Sequence, residues 1–251
     1  RCGAQRAGAR LVVLDNLYMY GRPRETPFDE SAPHAPCSVK GRLRAELAAE
    51  RAELAARGEL RFCSGHASDF FGPTADDHSI FGDRFLDRLR KGQPLELFGD
   101  PDLPRGYSYI PDVARGLAVL GTRPEAEGHA WHLPVSWTGT SRGVARAFAD
   151  ATGHDGRITI ISPWLLRIIG LFSPEARGVP EMLYQWRVPF VPSDARLERA
   201  FGLKATDGRA AVEETLIARG LIAPERDPFR DTGSPRRGSE APEKPAGSAF
   251  S

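Results

Sequence analysis

Residues 11–46, LVVLDNLYMYGRPRETPFDESAPHAPCSVKGRLRAE, constrain this chain more than any other stretch. Leu11, Val12, Val13 and Leu14 form an unbroken aliphatic run, the pattern of a strand covered on both faces within a parallel sheet. Beyond it the side chains are expected to alternate, with Asn16, Tyr18 and Tyr20 on one side and Leu17 and Met19 on the other. Gly21 and Pro23 stop the strand, and a polar loop follows. A helix is expected to open near Pro36, since proline suits a first helical turn, where its missing N–H would be unpaired. Three polar side chains then stand at the carboxyl end of a parallel strand, where open α/β sheets bind their ligands.

The remaining pattern supports an α/β reading. The spacing predicts a helix over residues 36–57, with Val39, Leu43, Leu47 and Leu54 as its apolar stripe and Gly58 as its stop. Residues 60–65 read as the next buried strand, 79–91 as a helix with Phe81, Phe85, Leu86 and Leu89 inward, and 94–98 as a short strand. Residues 128–134 and 157–161 read as strands, and 140–152 as a helix capped by Thr140 and Ser141. Asp112 is expected to cap a helix over 113–120. Short apolar helices are expected at 163–172 and 180–186, and a last helix at 209–219. From residue 227 the chain is Pro, Gly, Ser and balanced charge without periodicity, and disorder is expected there.

Three motifs resemble the extended short-chain dehydrogenase/reductases, the NAD-dependent epimerase/dehydratase group. LDNLYMYG is similar to that family's strand ending in "YG", followed by an acidic, Pro-containing loop (Phe28 to Pro33) and a helix start carrying Lys40. Phe71-Gly72-Pro73 resembles the close of a second family segment, with His66 where the family carries Arg. Arg105-Gly106-Tyr107-Ser108-Tyr109-Ile110-Pro111-Asp112-Val113-Ala114 resembles R-D-Y-x-Y-V-x-D-V-A. The resemblance implies the carboxyl-terminal part of a Rossmann-type doubly wound parallel sheet with a small α+β substrate lobe. It implies a nucleotide-binding unit at residues 1–73 and 106–140, and a substrate lobe at 74–105 and 141–226.

The resemblance also assigns roles, with two departures. Asn16 takes the family's Ser/Thr position, and Pro36 stands where the family's catalytic Tyr precedes Lys40 by four residues. Lys40 is expected to supply the cation that grips the ribose, and Asn16 a hydrogen-bond donor to the reacting oxygen. Tyr18 is expected to act as a relocated acid/base, its phenol of ordinary pKa about 10 lowered by nearby positive charge. His66, Ser68 and Asp69 fall at the cofactor, and Tyr20 and Arg105 at the substrate. NAD or NADP is the implied cofactor, and a sugar nucleotide or similar hydroxylated small molecule the implied substrate. The alternatives are a non-catalytic NAD(P)-binding protein, or an inactive fragment. The sequence has no glycine-rich strand-to-helix turn for a pyrophosphate, so roughly 80–100 residues of nucleotide domain are expected to precede Arg1.

Composition narrows the partners. With 34 basic and 33 acidic side chains, no field favours nucleic acid or an acidic membrane. The longest apolar run is interrupted by Arg167 and is far short of the ~20 residues of a span. Cys2, Cys37 and Cys63 leave an odd count, which fits a reducing cytoplasm, and Cys37 is expected to be buried. His129 and His132 would face opposite ways on a strand, so no shared metal is expected. The four tryptophans read as packing, and a homodimer through the 36–57 helix is the expected assembly.

Overall fold

The computed structural model describes residues 3–77, 79–162, 164 and 179–224. A short helix α1 (Gly3–Ala7) leads into β1 (Leu11–Asp15). This strand pairs in parallel with β2 (Phe62–His66), which pairs on its other side with β6 (Ala130–His132). Strand β2 lies in the centre and is buried along its whole length. Strand β1 lies at the edge: Leu11, Val12 and Val13 are half-buried and Leu14 is 46% exposed. The aliphatic run makes the expected parallel strand and carries α4 against it, but it is not covered on both faces, since Leu14 stays largely exposed.

A second sheet joins β3 (Asp69–Phe71), β5 (Pro104–Tyr109) and β7 (Trp137–Thr140), with β3 parallel and β7 antiparallel to the central β5. Residues 106–109 and 137–140 thus pair within this sheet and not with β1, β2 and β6. A parallel pair, β4 (Leu95–Phe98) and β8 (Ile158–Ile161), lies beyond. Helices α3 (Asp83–Arg90), α5 (Ser141–Thr152) and Gly208–Ala218 close the largest core over Phe71, Phe81, Phe85, Tyr107, Phe148 and Leu216. Removing one such buried large side chain costs about 3–5 kcal/mol. As the sequence suggested, Thr140 caps α5 by accepting from Gly143 N at 2.9 Å, and Gly153 ends it at φ 69°.

Helix α4 (Ile110–Thr122) packs on β1 and β2, and Asp112 sits inside its first turn. Asp112 does not cap the helix. Its carboxylate accepts from Ser136 Oγ (2.8 Å), Thr206 N (2.6 Å) and Thr206 Oγ1 (2.8 Å), and from Arg115, stapling a distant segment to α4. Burial alone would raise this carboxyl, but those hydrogen bonds outweigh it and hold it below the usual range.

Helix α2 (Val39–Ala56) starts three residues later than Pro36 suggested, because Ser38 supplies the cap, accepting from Gly41 N at 2.9 Å. Its apolar stripe does not face inward. Gly41 is its only buried residue, Leu47 and Leu54 are half-buried, and Val39 and Leu43 are 64% and 53% exposed. Trp131 and Trp186 are buried, whereas Trp164 is 61% exposed and is not a packing residue within the described structure. The expected helix at 163–172, apart from Trp164, and the tail from 227 lie outside the described residues. Among the described residues there is no cluster of metal ligands and no helix long and apolar enough to cross a membrane.

Candidate functional site

The chain leaves β1 through a side-chain-built turn. Asp15, 4% exposed, accepts from Asn16 N at 2.9 Å, and Asn16 Oδ1 accepts from Tyr18 N at 3.0 Å. Such Asx bonds compete with strand continuation, so the segment folds into a 3-10 turn over Tyr18–Tyr20. The expected alternation therefore fails: Asn16 and Tyr18 line one cleft, whereas Tyr20 turns away from it, and its hydroxyl meets His66 and His132. Gly21 follows at φ 64°, where an added Cβ would lie 1.9 Å from the Ala35 carbonyl oxygen.

The start of α2 packs on this turn through Gly41, whose Cβ, if added, would lie 2.6 Å from the Tyr18 carbonyl oxygen. That contact sets Lys40, exposed on the first turn of the helix, at the cleft. Pro36 lies outside the helix, and Cys37 beside it is exposed, not buried as expected. Glu181 accepts from Val39 N at 3.1 Å, bringing the segment 181–186 against the helix start. Tyr184, absent from the sequence-based set, reaches the Cys37 thiol and approaches Tyr18; burial pushes its phenol up to about 12.

From β2 and β3, Ser68 and Asp69 complete the wall. Ser68 Oγ donates to the Gly106 carbonyl at 2.6 Å, and Asp69 is ion-paired to Arg105. Arg105 does not reach the cleft as a substrate ligand would. It is fully buried, donates to the Gln185 carbonyl and to Asp69, and stacks 4.3 Å from the Trp186 ring. His66 does not line the cleft either. It is 2% exposed, and burial first, then His132, lowers its pKa to about 3.

The outcome is a cleft of about 400 Å³ at the carboxyl ends of β1 and β2, lined by Asn16, Tyr18, Lys40, Ser68 and Asp69. Phe98, Met182, Gln185, Trp186 and Phe190 form the opposing wall. Five of the eight sequence-selected residues meet here; His66, Tyr20 and Arg105 do not. Tyr18 shifts opposite to expectation. Burial first, then Asp69, pushes its phenol up to about 12, while Arg44 and Arg105 pull more weakly the other way. Asn16 has its carbonyl engaged by the turn and keeps its amide N–H groups as donors. Lys40 has no ion-pair partner among the described residues, and the cleft-lining Trp186 holds Nε1 buried without a hydrogen-bond partner. This set of free N–H donors suits the hydroxyl oxygens of a polyhydroxylated ligand.

The NAD dependent epimerase/dehydratase family model matches residues 2–133. UDP-glucuronic acid decarboxylase 1 of Arabidopsis thaliana is 27% identical over 126 residues, 47% of this chain and 28% of that enzyme. A double mutant of dTDP-glucose 4,6-dehydratase from Streptomyces venezuelae, solved with NAD bound, superposes with TM-score 0.68 at 18% identity, over 86% of this chain and 62% of that one. A UDP-glucose 4-epimerase from Thermotoga maritima, solved with UDP-glucose, does so with TM-score 0.68 at 15% identity, over 86% and 65%. The chain thus spans less than two thirds of each of these proteins, and the likeness to the solved structures is one of fold.

Proposed function

The chain belongs to the NAD dependent epimerase/dehydratase family, and on that premise we propose that its cleft is the nicotinamide and substrate end of an NAD(P)-dependent oxidoreductase, epimerase or dehydratase acting on a sugar nucleotide or similar hydroxylated small molecule. One observation carries this reading. Asn16, Tyr18, Lys40, Ser68 and Asp69, drawn from three separate segments, converge on one cleft at the carboxyl ends of parallel strands.

NAD or NADP, when bound, accepts or returns a hydride at a carbinol carbon. Lys40 would hold the ribose hydroxyls with its unpaired ammonium. Asn16 would donate to the carbinol oxygen, and Tyr18 would exchange the hydroxyl proton. The hydrophobic wall of Phe98, Met182 and Trp186 would keep bulk water from the reacting atoms. In this reading these segments would furnish the nicotinamide end of the site.

A second reading, NAD(P) binding without turnover, is favoured by Pro36 at the family's tyrosine position and by the upward shift of Tyr18. The test is titration with NADH and NADPH by fluorescence, together with a hydride-transfer assay on UDP- and dTDP-sugars. Turnover that is lost in Tyr18→Phe with binding intact supports catalysis. Binding without turnover in the parent chain selects the second reading, and no binding of either nucleotide overturns both.

We infer further that the exposed stripe of α2 docks a second copy of the chain, since Val39 and Leu43 are unusually exposed for apolar helix residues. The free thiols of Cys37 and Cys63 suit a reducing cytoplasm.

A further inference from the structure

Tyr20 faces away from the cleft, and its hydroxyl is the middle of a buried row of polar groups. Ser64 Oγ lies 3.2 Å from His66 Nε2, and His66 Nδ1 lies 3.4 Å from the Tyr20 hydroxyl. That hydroxyl lies 3.2 Å from His132 Nε2, and His132 Nδ1 lies 3.1 Å from the Ser193 carbonyl.

The direction of every bond follows from the last one. A carbonyl can only accept, so His132 Nδ1 carries the proton. Burial lowers the His132 pKa to about 4, so the ring is neutral near pH 7 and its Nε2 is a bare acceptor. The proton for that contact has to come from Tyr20. With its proton directed to His132, the Tyr20 oxygen accepts, so His66 Nδ1 carries a proton and donates to it. His66 is neutral too, which leaves its Nε2 to accept from Ser64. The row is a one-way chain: Ser64 to His66 to Tyr20 to His132 to the carbonyl of residue 193.

We propose that Tyr20 is a positioning residue of the cleft, acting through this one-way chain to lock the 3-10 turn that presents Tyr18 and Asn16. The proposal rests on the reading of that cleft as the reactive site. The backbone of the turn is weakly bonded within itself: Tyr20 N donates to Leu17 O and Gly21 N to Tyr18 O, both at 3.2 Å, and short 3-10 pieces have poor hydrogen-bond geometry. Its Asx bond, the burial of Leu17 and Met19, the packing of α2 and the Tyr20 row therefore hold it together. The chain ties the turn to β2, β6 and the segment at Ser193. The ring is clasped as well, 5.3 Å from Phe28 and edge-on to His132 at 5.4 Å. Glu30 steadies the acceptor end by taking the His132 backbone N–H at 2.7 Å.

Long-range proton–nitrogen NMR on the histidine-labelled chain near neutral pH reads the tautomers directly. Both His66 and His132 are expected as neutral rings protonated at Nδ1. An Nε2-protonated or charged ring at either site overturns the chain. Tyr20→Phe keeps the ring and removes only the hydroxyl. It is expected to leave the His132 tautomer fixed by the Ser193 carbonyl, to release the His66 tautomer, to move the ring signals of Tyr18 and to lower kcat roughly 10- to 100-fold with KM for the nucleotide unchanged. Unmoved Tyr18 signals overturn the positioning role. If the parent chain shows no turnover, the functional reading fails, while the tautomers and the Tyr18 signals still decide this proposal. If Tyr20→Phe does not fold, Ser64→Ala removes only the outermost donor, and a Tyr18 ring that does not respond to it overturns the proposal.

Discussion

Arg51 of α2 reaches back to the end of β1 and donates a 2.7 Å hydrogen bond to Asp15 Oδ2, while Oδ1 of the same carboxylate accepts the backbone N–H of Asn16. One buried acid thus joins helix, strand and turn. Asp15→Ala leaves Arg51 largely buried without its counter-charge, and is expected to cost about 3 kcal/mol. Arg44, 3.5 Å from Asp15 and 40% exposed, is expected to contribute under ~1 kcal/mol. Urea unfolding of the two variants measures both.

Acid should unfold the protein through its buried histidines. His66 and His132 fall from 6.5 to about 3 and about 4 in the folded state, so they stay neutral while the unfolded chain takes up protons. Their unfavourable contribution is absent above about pH 6.5. It grows as pH falls toward 4, at about 1.4 kcal/mol per unit and group. Glu30, raised by burial, runs in the opposite direction and blunts the slope. A stability profile between pH 7 and 4 in the parent and in His132→Gln checks this; equal slopes would contradict the assignment to His132.

Lys40 separates function from stability. It is exposed and unpaired, so Lys40→Met is expected to change unfolding free energy by no more than ~0.5 kcal/mol. Removing its contact with a bound ribose should weaken NAD(H) binding by about tenfold. Fluorescence titration gives the affinity, and an unchanged value would remove Lys40 from the site.

The Asp69–Arg105 pair is expected to show strong coupling. Asp69→Asn leaves a fully buried guanidinium under Trp186 without a counter-charge, at a cost of about 3–5 kcal/mol. Adding Arg105→Met replaces that cation by an apolar side chain and should recover part of the loss. A double-mutant cycle by chemical denaturation measures the recovery, and additive losses would show that the pair does not interact.

Leu43→Glu places a charge in the exposed stripe of α2. If a second copy docks there, sedimentation velocity should show the variant shifted from dimer to monomer, with unfolding free energy of the monomer within ~0.5 kcal/mol of the parent. A monomeric parent chain would end the dimer proposal.

The sequence carried the strands and helices well where hydrophobic period was strong. Central β2, the alternating Leu95 and Leu97 of β4 and the Thr140 cap all read correctly from neighbouring residues. Two of the failures share a cause: partners distant in the chain. Asp112 looked like a cap because the sequence does not reveal that Thr206 lies against it. Arg105 looked like a ligand because Asp69 and Gln185 are 36 and 80 residues away. Alternation failed at Tyr18 because the Asn16 side chain, a local signal that was present, competes for the backbone. Met182, Gln185 and Trp186 were missed because an apolar helical segment looks the same whether it packs or meets a site.

The parallel sheet has a kinetic consequence. Leu11 pairs with Phe62, Ser64 with Ala130 and Leu95 with Ile158, so each ladder joins residues that lie 51, 66 and 63 positions apart. No adjacent hairpin can seed these pairings, and loop-closure entropy has to be met before any of them stabilises the chain. Until β2 is clasped between its two neighbours, the apolar run at Leu11–Leu14 has no shelter, and the protein should be slow to fold and most vulnerable to association during that interval.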